Sequence, residues 1–215
     1  MTEVYMTHFL LPDLSSSLPH KWDEKALLCV RDDVLVRDRV DELIQFAIDQ
    51  QPRFVPTSIT TNSERYPDHR NSLVLYDVPT WMQDLVTSLA PEALNELGHP
   101  TFFISRLEAQ LTAHNDNNYY KIHSDNGCSR TNNRKLTFVY YFYREPKVFT
   151  GGDLVVYDTR IEEGRLVNVG LSQVYEPKNN SIVFFLSSYL HEVKPVKCPT
   201  LLFENSRFTV NGWIS

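Results

Sequence analysis

The 215-residue chain has seven glycines, three cysteines, no excess of positive charge and no long apolar run. Each shortage excludes something. With so few glycines, and 12 prolines that never cluster into a tract, collagen-like and low-complexity readings fall away. Cys29, Cys128 and Cys198 are an odd number with no Cys-x-x-Cys spacing, so they read as reduced thiols, neither a disulfide framework nor a zinc knuckle. Lys and Arg number 21 against 27 Asp and Glu, a formal charge of −6. Phosphate backbones select a basic excess, so nucleic acid is not an expected partner. The longest mostly apolar stretch, near Ser181–Leu190, is too short to span a bilayer. The start, MTEVYMTHFLLPDL, lacks a cationic segment followed by an apolar one, so no signal peptide is expected and a cytoplasmic location is.

What is present is ordinary globular material, 42% hydrophobic and 22% charged. A chain of this length buries roughly 70% of its unfolded surface and holds a core without staples. Residues 1–215 read as one domain with two textures. After an irregular lead-in of about 20 residues, residues up to about 100 are helical in pattern. Val40, Leu43, Ile44, Ala47 and Ile48 recur at helical spacing from Asp38 to Gln51, with Asp38 as cap and Pro52 as stop. Thr57–Asn71 is polar and aperiodic, a loop, and Asn71–Tyr76 reads as a short strand. Pro79 opens a second helix through Leu89, and a third short one runs from Pro91 to Leu97, ending at Gly98. From Thr101 on, short β-rich runs follow at Thr101–Leu111, Leu136–Phe142, Asp153–Asp158, Ser181–Leu186 and Phe208–Trp213. Strands without intervening helices predict an antiparallel sandwich or barrel. The expected fold is therefore mainly β with α, a β-core supported by an N-terminal helical layer.

Three elements carry chemistry. In His123-Ser124-Asp125, strand alternation would put an imidazole and a carboxylate on one face. Against that stands a plain surface turn, since the polar run Asn126–Asn133 follows. His191 comes just after the apolar strand Ser181–Leu186, where a lone histidine is most often structural. Together the three make two histidines and one carboxylate, a set that leaves three positions of an octahedral iron(II) free, or one site on zinc. In Arg207-Phe-Thr-Val-Asn-Gly-Trp213, alternation puts Arg207, Thr209, Asn211 and Trp213 on one face. If that face is internal, Arg207 needs an anion: an acidic side chain, or a carboxylate ligand gripped by the guanidinium fork.

The order His123-x-Asp125, Gly151-Gly152-Asp153-Leu154, His191-Glu192-Val193-x-Pro195-Val196, then Arg207 with Trp213, resembles the iron(II)/2-oxoglutarate-dependent dioxygenases, and among them the prolyl 4-hydroxylase-like branch. The resemblance covers about Leu111 to Ser215. It implies a double-stranded β-helix, a distorted cupin-like jelly roll, with His123, Asp125 and His191 as catalytic iron ligands. It further implies Arg207 and Tyr141 on the far carboxylate of 2-oxoglutarate, with Thr209 assisting. Tyr120 falls at the mouth where the family binds peptide, and Arg130 and Trp213 are further candidates to contact substrate. The plainer role for Tyr141 and Tyr120 is core packing with a satisfied hydroxyl. A family position near 2-oxoglutarate, usually aromatic, falls on His114, and the loop Lys197–Asn205 is longer than the pattern. Gly151-Gly152 reads as backbone geometry at a strand entry, not phosphate binding.

The resemblance implies a hydroxylase that uses Fe(II), 2-oxoglutarate and O2, with ascorbate as a candidate reductant. It would act on a prolyl or other residue of a peptide or protein, with 2-oxoglutarate leaving as succinate and CO2. A free amino acid or small natural-product precursor is the rival substrate. From other classes, the rivals are a non-catalytic metal-containing jelly-roll binding module and a zinc hydrolase. Arg207 with Tyr141 separates these, because a structural metal site has no use for a carboxylate clamp. A hydrolase would need a base beside the metal, and Glu192 should point the other way from His191. The sequence specifies no oligomeric state.

Overall fold

The computed structural model describes residues 23–57, 60–61, 64–65, 68–162 and 165–215. The irregular lead-in lies outside them. The elements that matter here are β1 (Cys29–Asp32), α1 (Arg37–Asp49), β2 (Arg70–Asn71), β3 (Leu73–Leu75), α2 (Thr80–Glu96), β4 (Leu107–His114), β5 (Tyr119–His123) and β6 (Leu136–Phe142). They are followed by β7 (Leu154–Glu162), β8 (Arg165–Tyr175), β9 (Ser181–Leu186), β10 (His191–Val193) and β11 (Arg207–Ile214).

Two antiparallel sheets form a jelly roll. The larger runs β1-β9-β6-β11-β4-β3, with Val55–Pro56 at its far edge. The smaller runs from Asp23–Glu24 through β7, β10 and β5 to β2, with β8 paired to β7. Alternation divides the large sheet into two unlike faces. Phe138, Tyr140, Phe142, Phe208, Val210 and Leu111 are buried in one cluster with Val40, Leu43, Met82 and Val86 of the helices. The intervening residues, among them Thr137, Tyr141, Arg207 and Thr209, line a cavity between the sheets. Period-2 side-chain geometry alone separates the apolar face from the polar one.

The helices differ in detail from their sequence signals. In α1 the cap position is Val36 and Asp38 lies in the first turn, where its charge favours the helix dipole instead of capping. The second and third helical segments are one helix, α2, with Pro91 inside it. An interior proline costs about 3 kcal/mol. Met82, Val86, Ala90, Ala93 and Leu94 continue one buried face across it, and each large side chain contributes about 1.5–3 kcal/mol, so burial wins. Gly98, at φ 69°, ends the helix as the notation of a Schellman turn requires: His99 N–H donates to Leu94 O and Gly98 N–H to Asn95 O.

The first hundred residues are also more than a helical support. They place β1 and β3 in the large sheet and β2 at the edge of the small one, inside the stretch that reads as a polar loop. β8 has no clear sequence signature, because it is an outer strand with Leu171 and Val174 exposed and a left-handed Gly170 within it. Its hairpin pairing with β7 decides it.

Candidate active site

His123 is the last residue of β5 and His191 the first of β10, and the two are direct cross-strand partners. Their rings lie 4.1 Å apart, centre to centre. Asp125 is not on the strand: it lies in the turn that follows, so a turn and not alternation brings it beside His123. Two contacts hold that turn. The Asp125 N–H donates to Ser187 O at 3.0 Å, and the Thr137 hydroxyl donates to Asp125 Oδ2 at 2.8 Å.

The imidazoles are set by their backbone partners. His123 Nδ1 is 2.8 Å from Lys121 O, and His191 Nδ1 is 2.9 Å from Tyr189 O. A carbonyl only accepts, so both protons sit on Nδ1 and both Nε2 lone pairs face inward. Those Nε2 atoms are 3.6 and 3.4 Å from the two Asp125 oxygens. All three residues are buried, and their ligating atoms lie within 4.8 Å of one another. Burial, then the neighbouring His191, pushes the His123 pKa down to about 4. Burial alone would raise the Asp125 carboxyl, but the His191 and His123 imidazoles outweigh it and hold it well below its usual range. Neutral imidazoles and an ionised carboxylate are the forms that bind a divalent metal, so the donor set suits iron(II).

Arg207 is 1% exposed, and no carboxylate among the described residues lies within ion-pair distance of it. Its Nη1 is 3.3 Å from His114 Nδ1, its guanidinium carbon lies 4.8 Å from the Tyr141 ring centre, and its Nε has no partner. The Tyr141 hydroxyl is also buried without a partner, and burial pushes its pKa up to about 12, keeping the proton for donation. Thr209 faces the same cavity from the register position opposite Tyr141. Burial, then the charges of Arg207 and Arg70, holds His114 neutral, far below the usual histidine range. Since its Nδ1 faces an obligate donor, its proton is on Nε2, a third unpartnered donor. Buried donors without acceptors are costly, and here three of them cluster. A carboxylate supplies the missing acceptors. Gly152 makes room for the clamp: at φ 74°, a Cβ there would lie 2.7 Å from Arg207 Cδ.

Tyr120 stacks on His123 with ring centres 3.5 Å apart. Trp213 lines the cavity, its indole N–H unpartnered, under the Arg134 guanidinium at 3.6 Å from the ring centre. Arg130 is exposed and does not line the cavity. Glu192 binds the Tyr157 hydroxyl and Lys194, so Asp125 is the one carboxylate among the described lining residues and no base is aimed at a metal-bound water. Sequence reasoning missed Thr137, Ser187 and Arg70. Thr137 has a readable signal, two strand positions from Val139 and four from Tyr141; Arg70 has none.

The match to the 2OG-Fe(II) oxygenase superfamily model covers residues 109–215. An uncharacterised PKHD-type hydroxylase from Synechocystis sp. is 41% identical over 178 residues, 80% of this chain. The chain spans 58% of that relative's length. Among solved structures, a Pseudomonas putida prolyl-4-hydroxylase aligns with a TM-score of 0.58 at 19% identity, over 87% of this chain and 91% of that one. A Trichoplax adhaerens prolyl hydroxylase, solved with a hypoxia inducible factor peptide fragment, aligns at 0.65 and 19% identity, over 87% and 82%. These two establish the fold. No helix among the described residues is long and apolar enough to cross a membrane. With the family model on the jelly-roll core, and a buried His-Asp-His triad beside an anion-free arginine, the chain belongs to the 2OG-Fe(II) oxygenase superfamily.

Proposed function

We propose that this protein is an iron(II)- and 2-oxoglutarate-dependent hydroxylase acting on an unactivated C–H bond of a peptide or small molecule. One observation carries the reading: the buried, anion-free Arg207 clamp stands in the same cavity as the three metal-ligating side chains. Iron(II), with 2-oxoglutarate and O2, supplies an oxidant that breaks such bonds while 2-oxoglutarate leaves as succinate and CO2.

The chain's own part is binding and orientation. His123, Asp125 and His191 hold the metal on one face, and Thr137 fixes the Asp125 carboxylate. Arg207 grips the distal carboxylate of the cosubstrate, with hydrogen bonds from Tyr141 and His114 Nε2 and with Thr209 alongside. Tyr120 and Trp213 line the wall on the substrate side, while Arg130 stands outside it and meets only the flank of an extended ligand. A peptidyl prolyl residue is the first substrate to test, given the likeness in motifs and fold to prolyl hydroxylases. The test is an anaerobic titration of apoprotein with iron(II) and 2-oxoglutarate, followed by visible absorption. A weak charge-transfer band that disappears in His123→Ala, with 2-oxoglutarate bound more weakly in Arg207→Ala, is the expected result. Metal bound without a band would overturn the reading in favour of a binding module.

A further inference from the structure

A second arginine enters the cavity, from an element the catalytic motifs do not include. Arg70 projects from the edge strand β2, which pairs with the histidine-bearing strand β5 at Arg70↔Tyr120. Its guanidinium crosses toward the large sheet: Nε donates to Ser72 Oγ at 3.0 Å and Nη2 to Thr112 Oγ1 at 3.5 Å. Its guanidinium carbon lies 4.8 Å from the Tyr120 ring centre, and Tyr120 stacks on the metal ligand His123. Arg70 thus sits one aromatic ring away from the metal position, on partners distinct from those of Arg207. No carboxylate among the described residues is within ion-pair distance of it.

Burial disfavours the Arg70 charge; Asp125 acts on it only at a distance and is committed to the metal site, and no carboxylate among the described residues pairs with it directly. The charges of the loaded site leave it over. A divalent metal and Arg207 are balanced by Asp125 and the two carboxylates of 2-oxoglutarate. Asp153, the acidic group felt by Arg207, forms no ion pair with Arg70. Arg70 remains a cation with free guanidinium donors facing the cavity. An arginine fork matches a planar carboxylate, and a half-buried one such as Arg70 binds it through charge-assisted bonds.

We propose that Arg70 is a substrate anchor: the substrate carries a carboxylate that binds the Arg70 guanidinium while its reacting carbon lies over the metal. This rests on the hydroxylase reading and narrows its substrate to an anionic one. The carboxylate is either the α-carboxylate of a free amino acid or an acidic side chain within a peptide.

The experiment uses the full chain loaded with Mn(II) and 2-oxoglutarate, with acetate as probe. Mn(II) relaxes nearby protons, so the acetate methyl signal reports occupancy close to the metal. The expected result is saturable relaxation of acetate but not of acetamide, weakened at least roughly tenfold in Arg70→Met, with 2-oxoglutarate affinity unchanged. Arg70→Gln replaces Arg70→Met should the latter fail to give the iron(II)–2-oxoglutarate band that marks a folded, loaded site. No saturable relaxation in the parent protein would overturn the anchor, as would relaxation unaltered by loss of Arg70, which would mean acetate on the metal. Weaker 2-oxoglutarate binding in the Arg70 variants would overturn it too, making Arg70 part of the cosubstrate clamp. Competition separates the two carboxylate sources. Displacement of acetate by L-alanine supports an α-carboxylate, and displacement by N-acetyl-glutamyl amide supports an acidic side chain. The band keeps the two proposals apart: with the band present and no relaxation, only the anchor falls.

Discussion

The two sheets build the two ends of one cavity by different means. The large sheet supplies the arginine end by register along long interior strands: β4, β11 and β6 pair without a break, His114 closes β4 opposite Arg207 at the start of β11, and Thr209 and Tyr141 follow by alternation. The small sheet supplies the metal end from strand termini and turns. His123 closes β5, His191 opens β10, and Asp125 lies in a turn. Regular pairing would leave those side chains loose; the histidine Nδ1–H groups donate to Lys121 O and Tyr189 O, and the Thr137 hydroxyl donates to Asp125, which ties them down. On the proposed reading, a cosubstrate of fixed shape would meet a preformed wall, whereas ligands around an ion need individual adjustment, which turns allow.

Changes at the two ends should therefore separate metal binding from cosubstrate binding. The largest effect is expected from Asp125→Ala, which removes the one carboxylate among the described lining residues, the proposed anionic metal ligand. Iron(II) affinity should fall by more than roughly 100-fold, beyond what loss of supporting hydrogen bonds does, in a competitive metal titration. Unchanged affinity would mean that Asp125 is not a ligand. Next comes Arg207→Met. Loss of charge-assisted hydrogen bonds worth about 1.5–3 kcal/mol should weaken 2-oxoglutarate about 10- to 150-fold at constant metal affinity. The same change removes an unpaired buried cation, so the apoprotein should melt higher, not lower. A fall in both metal and cosubstrate affinity would erase the distinction between the ends.

Thr137→Val tests the joint between the two ends, since Thr137 belongs to β6 yet binds Asp125 and faces Ser187 Oγ at 2.9 Å. Iron(II) affinity should fall about tenfold, with 2-oxoglutarate affinity following only through the metal. The smallest effect is on the apoprotein's stability against pH. His123 has a folded pKa of about 4 against an ordinary 6.5, so the unfolded chain takes up more protons between those values. Stability is complete above pH 6.5 and declines as pH falls toward 4, and His123→Ala should flatten that decline in thermal melts. Saturating metal should also flatten it, because the ligated nitrogens no longer take protons.

Much of this was legible in the chain's linear pattern. Residues Leu136–Phe142 and Ser181–Leu186 form strands with the bounds their apolar composition predicts, because an interior strand is specified by its own burial. The spacing from His123 through His191 to Arg207 marked the chemistry, since few reactions need two imidazoles, a carboxylate and a guanidinium in that order. Less legible were the features that depend on a partner elsewhere. Pro91 reads locally as a helix start, and only the buried face it interrupts makes it interior. The edge strands β2 and β8 are too polar or too exposed to announce themselves, and pairing with β5 and β7 creates them.

By itself, then, the sequence determined the β-rich core, and it marked the two histidines, the carboxylate and the arginine that come together in the cavity, because alternation and residue chemistry are local properties. Tertiary structure decided three further things: that Asp125 joins the two histidines from a turn, that His114 carries its proton on Nε2, and that Arg70 enters the cavity from a strand 53 positions before His123 in the chain. Each depends on a hydrogen bond or a register between segments far apart in sequence, which no local pattern encodes.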